Sequence, residues 1–405
     1  LLLTTFLGAF ASPASAQFAL HSGDRVVFYG DSITDNAPYG TFIENFVLTR
    51  FPRMNVRFFN AGVGGDRVSG GGLGPIDTRL DRDVFSRQPT VVTVMLGMND
   101  GNYQAFSQGT LDVYKKGLAH IADRFRVEIP HARVWMIEPS PFDDITRPYS
   151  GYNDVLVKFG SAVAELANER GYGVIPMNEP VAEAIRRAVA VDPALAQKIL
   201  PDRVHPWLGG HLVMGATILH AWGAPNLVSR TDINAHTGKA IGDGAVIRNV
   251  QTGPAVRWSS TEDSLPCPFD HKDPVTNLIL RSSPIEDLIG REVILVHGLA
   301  PGMYKLTIDG KEVARFSADT FDTGVDLSWL DTPMTQQAQR VADLTAQRVA
   351  MKYFAWRTIE VALVALPQRS RAEAVRALDH LEDDLIARQH AEALPKPHIF
   401  EVAPA

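Results

Sequence analysis

The sequence predicts an α/β protein: a parallel sheet covered by helices on both faces, followed by a smaller β-rich region and a closing pair of helices. Three observations predict it. From Arg25 onward, short β-branched and apolar runs alternate with amphipathic stretches of helical period. After about Leu227 that alternation gives way to short strands separated by turn residues. Hydrophobic residues make up 45% of 405 positions and charged residues 21%, enough to build a sizeable core. That balance excludes a disordered chain, a collagen and a disulfide-stapled miniprotein. At ~150 residues per domain, the length accommodates two or three domains.

The N-terminal stretch precedes the fold. Residues 1–10 are almost wholly apolar, and Ala14-Ser15-Ala16 supplies the small-x-small pattern that signal peptidase accepts. Residues 1–16 therefore read as a secretory signal peptide cut after Ala16, which places the mature protein outside the cell or in the periplasm. The sequence opens on Leu1 and not on Met, so the charged leading segment of such a peptide is expected upstream. The bland alternative is a helix packed on the core. The run is too short to span ~30 Å of hydrocarbon. Residues 204–229 also lack Asp, Glu, Lys and Arg, but His205, His211, His220 and several Gly and Pro interrupt them. No transmembrane segment is expected.

Residues 17–228 form the expected α/β domain. Candidate strands are residues 25–29 (RVVFY), 55–59 (NVRFF), 91–95 (VVTVM), 133–137 (RVWMI) and 173–176 (GVIP). Helix-like segments lie between them at 41–50, 111–126 and 152–170. In the last, Val155, Phe159, Val163, Leu166 and Ala167 recur at three- and four-residue steps and make one apolar face. Right-handed crossovers would bring the carboxyl ends of all five strands to one edge, where catalytic loops gather.

Residues 229–330 read as a β-rich accessory module. Its expected strands lie at 245–250, 255–260, 277–282, 291–298 and 303–308, and Asp309-Gly310 marks a tight hairpin after the last. Residues 331–395 then read as two helices packed on the rest. Met334, Ala338, Val341 and Leu344 share a face of the first, and Val375, Leu378, Leu381 and Leu385 a face of the second. The Pro-rich tail from Pro395 is expected to fray.

Charge and cysteine content narrow the partners. Lys and Arg total 39 against 46 Asp and Glu, a formal net charge of −7. No basic excess is present to neutralise a phosphate backbone, so nucleic acid is not an expected partner. The single cysteine, Cys267, closes no intramolecular disulfide and is read as a small buried apolar residue.

The chemistry concentrates in four places. The first candidate strand runs straight into Gly30-Asp31-Ser32-Ile33-Thr34. A serine on a sharp turn past a strand, at the start of a helix, exposes its hydroxyl above the sheet as a nucleophile requires. On its own the same tripeptide makes an ordinary helix cap. Asp202-Arg203-Val204-His205 lies late in the domain. A carboxylate three residues before a histidine can reach the imidazole Nδ1–H and leave Nε2 free to take a serine proton. Residues 60–66 (NAGVGGD) follow the second strand and 96–100 (LGMND) the third. Their glycines let backbone N–H groups approach a substrate oxygen, and Asn99 adds a side-chain amide. Ordinary turns would use the same residues.

In that order the four blocks resemble the SGNH hydrolases, the GDSL-type esterase/lipase family. The match runs through Gly30-Asp31-Ser32-Ile33, the glycine before Asp66, Gly97-x-Asn99-Asp100 and Asp202-x-x-His205, over roughly residues 25–222. The resemblance implies a three-layer α/β/α sandwich on a five-stranded parallel sheet of flavodoxin-like type, and ester hydrolysis with neither metal nor organic cofactor. It implies Ser32 as nucleophile, His205 as general base and then acid, and Asp202 as its orienting partner. The implied oxyanion hole is the Ser32 N–H, the Gly65 N–H and the Asn99 side chain. Gly64 competes with Gly65, because the Gly64-Gly65 pair leaves the register open by one. Asp31 and Asp100 are expected to stabilise their turns.

Other residues are given bland roles. His211 is read as a cap or core histidine, since no third ligand accompanies it for zinc. Asp143 and Asp144 are read as solvated loop charges beside the cleft, with contact to a polyol as the alternative. Trp207 and Trp258 are read as packed aromatics that could instead stack on sugars. The favoured substrate is a carbohydrate ester bearing acetyl or another short acyl group, whether a small molecule or a polysaccharide. A lipase, lysophospholipase-like esterase or thioesterase is the alternative, and a catalytically silent glycan-binding protein acting through residues 245–328 is a third reading.

Overall fold

The structure, a computed structural model, describes residues 18–147, 150–270 and 272–405. The expected signal peptide, residues 1–16, lies outside the described residues. Its first half comprises β1 (Arg25–Gly30), α1 (Ser32–Asp35), α2 (Pro38–Arg50), β2 (Arg57–Asn60), β3 (Val91–Met95) and α3 (Gln108–Glu128). It continues through β4 (Arg133–Ile137), α4 (Tyr152–Arg170), β5 (Gly173–Ile175), α5 (Asn178–Val191) and α6 (Leu208–Ala221). The five strands pair in parallel in the order β2-β1-β3-β4-β5. Every residue of β3 and all but the first of β1 are buried, because helices cover both faces of the sheet. The strand order reverses between β1 and β3. That is where the loops leaving neighbouring strands diverge and open a crevice.

The second half adds β6 (Leu227–Asn234), β7 (Ala240–Asp243), β8 (Ala245–Gln251), β9 (Val256–Glu262), α7 (Pro274–Ser282) and β10 (Arg291–His297). There follow β11 (Met303–Ile308), β12 (Lys311–Ser317), β13 (Val325–Asp326), α8 (Pro333–Phe354), α9 (Gln368–Ala393) and β14 (His398–Pro404). Two sheets form, β8-β9-β14-β11-β12 and β13-β10-β6-β7. They enclose a second core that includes Ile233, Trp258, Leu306, Phe321 and Phe400. Among the described residues no helix is long and apolar enough to cross a membrane.

Three expectations are corrected here. Residues 277–282 are not a strand but the body of α7. The Asp273 side chain accepts the Thr276 N–H at 2.7 Å and Pro274 opens the first turn. That cap and start signal outweighs the β-branched texture. The tail from Pro395 is not frayed. It forms β14, the central strand of its sheet, hydrogen-bonded to both β9 and β11, with His398, Phe400 and Val402 alternating inward. On α9, Leu381 is exposed, and Glu382, Gln389 and Ala393 are the buried residues. They are buried because the interface with α8 and α2 is built on ion pairs, with Arg348 bound to Glu44 and Glu382.

Candidate active site

The site lies above the carboxyl edge of β1, β2 and β3. β1 ends at Gly30, and Asp31 caps α1 by accepting the Ile33 N–H at 3.0 Å. Ser32 is thereby the first residue of a helix, where the N–H groups and the positive dipole end are unsatisfied. Its Oγ lies 2.8 Å from His205 Nε2. His205 Nδ1 lies 2.6 Å from Asp202 Oδ2. The other Asp202 oxygen accepts the backbone N–H groups of Val204 and His205 at 3.0 and 2.8 Å. Burial alone would raise the Asp202 carboxyl, but the bonds from the His205 ring and these amides outweigh it and hold it below the usual range. An ionised Asp202 fixes the proton on Nδ1, so Nε2 is the acceptor facing Ser32.

The two glycines after β2 are distinguished by their hydrogen bonds. Gly64 N–H donates to Asp35 Oδ2 at 3.0 Å. Gly65 sits at the third position of a turn closed by Asp66 N–H on Val63 O at 3.1 Å, with φ +78°, a conformation that favours glycine. Its N–H makes no hydrogen bond among the described residues. Gly62 is required for a different reason: a Cβ there would fall 2.3 Å from the Asp35 nitrogen. The absence of that Cβ lets the loop lie directly on α1. Asn99 has a fixed orientation, because its Nδ2 donates to Asp66 O at 3.0 Å and its Oδ1 accepts from the Tyr103 hydroxyl at 3.0 Å. One amide N–H remains for another acceptor. The structure thus joins Ser32, His205 and Asp202 by hydrogen bonds and ties Asn99 to Asp66, in the loop that carries Gly64 and Gly65.

Several residues that the sequence reading passed over support this arrangement. Arg79 is fully buried; its Nε donates to Asp66 Oδ2 at 2.7 Å, and it also bonds Ala61 O and Asp83. Asp83 Oδ1 accepts Trp356 Nε1–H at 2.7 Å. Arg357, the next residue, binds Asp35. Arg203, at φ +75° between Asp202 and His205, donates to Asp143 O at 3.1 Å and pairs with Asp144 at 2.7 Å. Asp143 and Asp144 are therefore not solvated. Asp143 is buried and accepts the Thr146 and Ile145 N–H groups, so both hold the loop that braces Arg203. No sequence period signals such pairings.

The remaining candidates have ordinary surroundings. Burial lifts Asp31 to about 7 and Asp100 to about 6; Asp31 accepts the Ile33 N–H within its own turn, whereas Asp100 accepts the Val68 N–H of the loop after β2 at 3.0 Å. Trp258 is buried and stacked on Phe400. Trp207, by contrast, is not a packed aromatic: it is half-exposed, with its indole N–H held by Asp273 at 3.0 Å. Cys267 is a buried free thiol. Among the described residues no group of three or more His, Cys, Asp or Glu is placed to hold a metal ion.

An open cleft of about 650 Å³ begins at Asp35 and Asn36, at the end of α1, and runs between α2, α6 and the hairpin helix α8. Its lining is chiefly apolar, including Phe42, Leu212, Phe269, Ala346 and Tyr353.

Comparison with known proteins gives three findings. Residues 28–213 match the GDSL-like lipase/acylhydrolase family. An acetylxylan esterase of Geobacillus stearothermophilus is 22% identical over 223 residues, 50% of this chain and 95% of that protein; the crystal structure of an acetylxylan esterase from that organism, Axe2, matches 51% of this chain and 96% of its own, at 22% identity and a TM-score of 0.41. A gut microbial diltiazem-metabolizing enzyme is similar over 96% of this chain and 100% of its own, at 26% identity and a TM-score of 0.84.

Proposed function

We propose that this carboxylic ester hydrolase, whose residues 28–213 match the GDSL-like lipase/acylhydrolase family, cleaves short-acyl esters through an acyl-enzyme on Ser32. The observation that carries this reading is the unbroken relay from Ser32 Oγ to His205 Nε2 at 2.8 Å and from His205 Nδ1 to Asp202 at 2.6 Å. A serine hydroxyl at its ordinary pKa is a weak nucleophile and needs such a base.

In the proposed cycle, Ser32 Oγ attacks the ester carbonyl carbon as His205 Nε2 takes its proton. The Ser32 and Gly65 N–H groups and the free Asn99 amide hydrogen receive the negative charge that develops on the carbonyl oxygen. Imidazolium, held by ionised Asp202, returns the proton to the leaving alcohol. Water, deprotonated by His205, then attacks the acyl carbon and releases the acid and free Ser32. Gly65 is favoured over Gly64 as the second donor, because the Gly64 N–H is already bound to Asp35.

On the alcohol side, similarity to an acetylxylan esterase supports a carbohydrate ester. A second reading, an ester with an apolar ring system, is favoured by the cleft beside α1. It is also favoured by likeness along nearly the whole chain to a diltiazem-metabolizing enzyme. The proposal includes export, on the strength of the apolar run and Ala14-Ser15-Ala16; N-terminal sequencing of the mature protein tests that part. The serine chemistry is tested with p-nitrophenyl acetate and a fluorophosphonate probe. Ser32→Ala is expected to lose turnover and labelling together, and wild-type-like turnover by that variant overturns the proposal. Acetylated xylan assayed beside graded acyl esters and diltiazem separates the two readings of the alcohol.

A further inference from the structure

The cleft beside α1 contains two polar side chains that the fold leaves unpaired. Asn45 is 7% exposed and His211 2%, and both line the cleft. Among the described residues, neither the Asn45 Oδ1 nor either His211 ring nitrogen has a hydrogen-bond partner. Buried polar groups are ordinarily paired, since leaving one unsatisfied costs about 1–3 kcal/mol. Both residues line one cavity, so a small turn of either side chain toward it would let a ligand supply the missing partners. Burial pushes His211 down to about 3, so its ring stays neutral and offers one N–H and one lone pair.

The rest of the wall sets the ligand's character. Phe42 and Phe269 stack on one side at 6.0 Å, while α8 presents the small residues Ala342, Ala346 and Ala350 opposite, with Tyr353 at the end. Asn36, Asp270 and Gln339 also line the cleft but are exposed to water; the sheltered part of the wall is chiefly apolar and offers a sugar's hydroxyls few desolvated partners. The Asp35 carboxylate is already bound by Arg357, so it does not select a cation. The volume matches that of pockets for ring-bearing small molecules. The cleft starts at the last turn of α1, whose first residue is Ser32, about 5 Å along the axis at the rise of an α-helix.

We propose that this cleft binds the uncharged, apolar ring-bearing part of an ester substrate, with Asn45 and His211 as its hydrogen-bonding groups and the hairpin helix α8 as one wall. The assignment rests on the ester-hydrolase reading of Ser32 and adds the class of substrate. The appended hairpin then determines selectivity, while the α/β domain carries the bond cleavage.

Filling the cleft tests this. Ala346 and Ala350 are exposed on α8, so Ala346→Trp and Ala350→Trp occupy the cleft without repacking a core. In each, the ratio of kcat/KM for 2-naphthyl acetate to that for ethyl acetate is expected to fall about tenfold. Methyl 2-naphthylacetate, with the ring on the acyl side, compared with methyl acetate, shows whether the ring belongs to the alcohol or the acid. A fall in either ratio supports the assignment, and unchanged ratios in both series overturn it. Binding of 2-naphthyl acetate to Ser32→Ala, followed by calorimetry, needs no turnover and is expected to weaken about tenfold when Ala346→Trp is added. Equal binding with and without that second change also overturns the assignment. Should the wild-type protein turn over no ester while Ala346→Trp still weakens binding, the reading of Ser32 fails and the cleft assignment stands.

Discussion

Arg357 Nη2 lies 2.7 and 2.6 Å from the two carboxylate oxygens of Asp35, and Asp35 Oδ2 also accepts the Gly64 N–H at 3.0 Å. A residue of the C-terminal helices thus fixes the loop whose next residue, Gly65, is the proposed second donor to the developing oxyanion. The neighbouring Trp356 is linked in a similar way, through Asp83, Arg79 and Asp66, to the carbonyl that holds Asn99. In Arg357→Ala, kcat for p-nitrophenyl acetate is expected to fall about tenfold with a smaller change in KM, because a loosened donor costs transition-state and not ground-state binding. Arg357→Lys restores part of it. Thermal unfolding that shifts while kcat stays at the wild-type value would make Arg357 a structural tie only.

In the proposed cycle, Asn99→Ala removes one N–H from the charge developing on the carbonyl oxygen. Loss of about 100-fold in kcat is expected, the effect of deleting one donor in acyl transfer, with thermal stability little changed since Asn99 is only half-buried. Gly64→Ala serves as the contrast. The Gly64 N–H is committed to Asp35, and a Cβ there has its nearest neighbours at 3.8 and 3.9 Å. Its kcat is expected within about threefold of wild type. Equal losses in the two variants, measured by steady-state kinetics, would mean that the Asn99 effect is a general disturbance of the site and not the loss of a donor.

Asp31 carries a pH-dependent cost. Its folded-state carboxyl titrates at about 7 against 3.8 for a free aspartate, because burial disfavours the charge. Between those values the folded protein holds a proton that the unfolded chain has released, so this group's contribution to stability declines as pH rises from about 4 to about 7. Asp31→Asn keeps an oxygen for the Ile33 N–H and removes the titration. The variant is expected to gain on wild type in melting temperature across that window and to keep a constant lead above it. Melting curves at pH 4 to 8 check this, and a difference independent of pH would refute it.

The parallel sheet was legible because burial on both faces turns a strand into a short apolar run, and 91–95 and 133–137 were read to the residue. The residue types of the candidate site were legible in the order of their blocks along the chain. Which glycine N–H is free was not, since that depends on Asp35, which looks like any polar residue ending a turn. Arg357 and Asp35 are 322 positions apart, and no period or spacing links them. α9 was misread for a related reason. The leucine spacing points to one face, but the buried face carries Glu382 and Gln389, whose partners lie on other helices. Periodicity reports apolar burial and misses polar burial by pairing.

Arg348 puts that polar interface to the test. It is buried on α8, donates to Glu44 of α2 at 2.7 Å and to Glu382 of α9 at 2.8 Å, and also reaches the Phe58 carbonyl. Burial opposes its charge, but the two carboxylates outweigh that and hold the guanidinium protonated. Arg348→Met strands the buried Glu44 and leaves Glu382 chiefly its pair with Lys352 at 2.8 Å; it is expected to cost about 3–5 kcal/mol of unfolding free energy, read from denaturant curves. Adding Glu44→Gln and Glu382→Gln removes both charges and is expected to recover most of that loss. Because Trp356 and Arg357 follow on the same chain segment, Arg348→Met is also expected to lower kcat, and the triple variant to regain it. A loss below about 1 kcal/mol, the range of a solvent-screened pair, would mean that the hairpin is held by its apolar contacts, and kcat would then stay at the wild-type value.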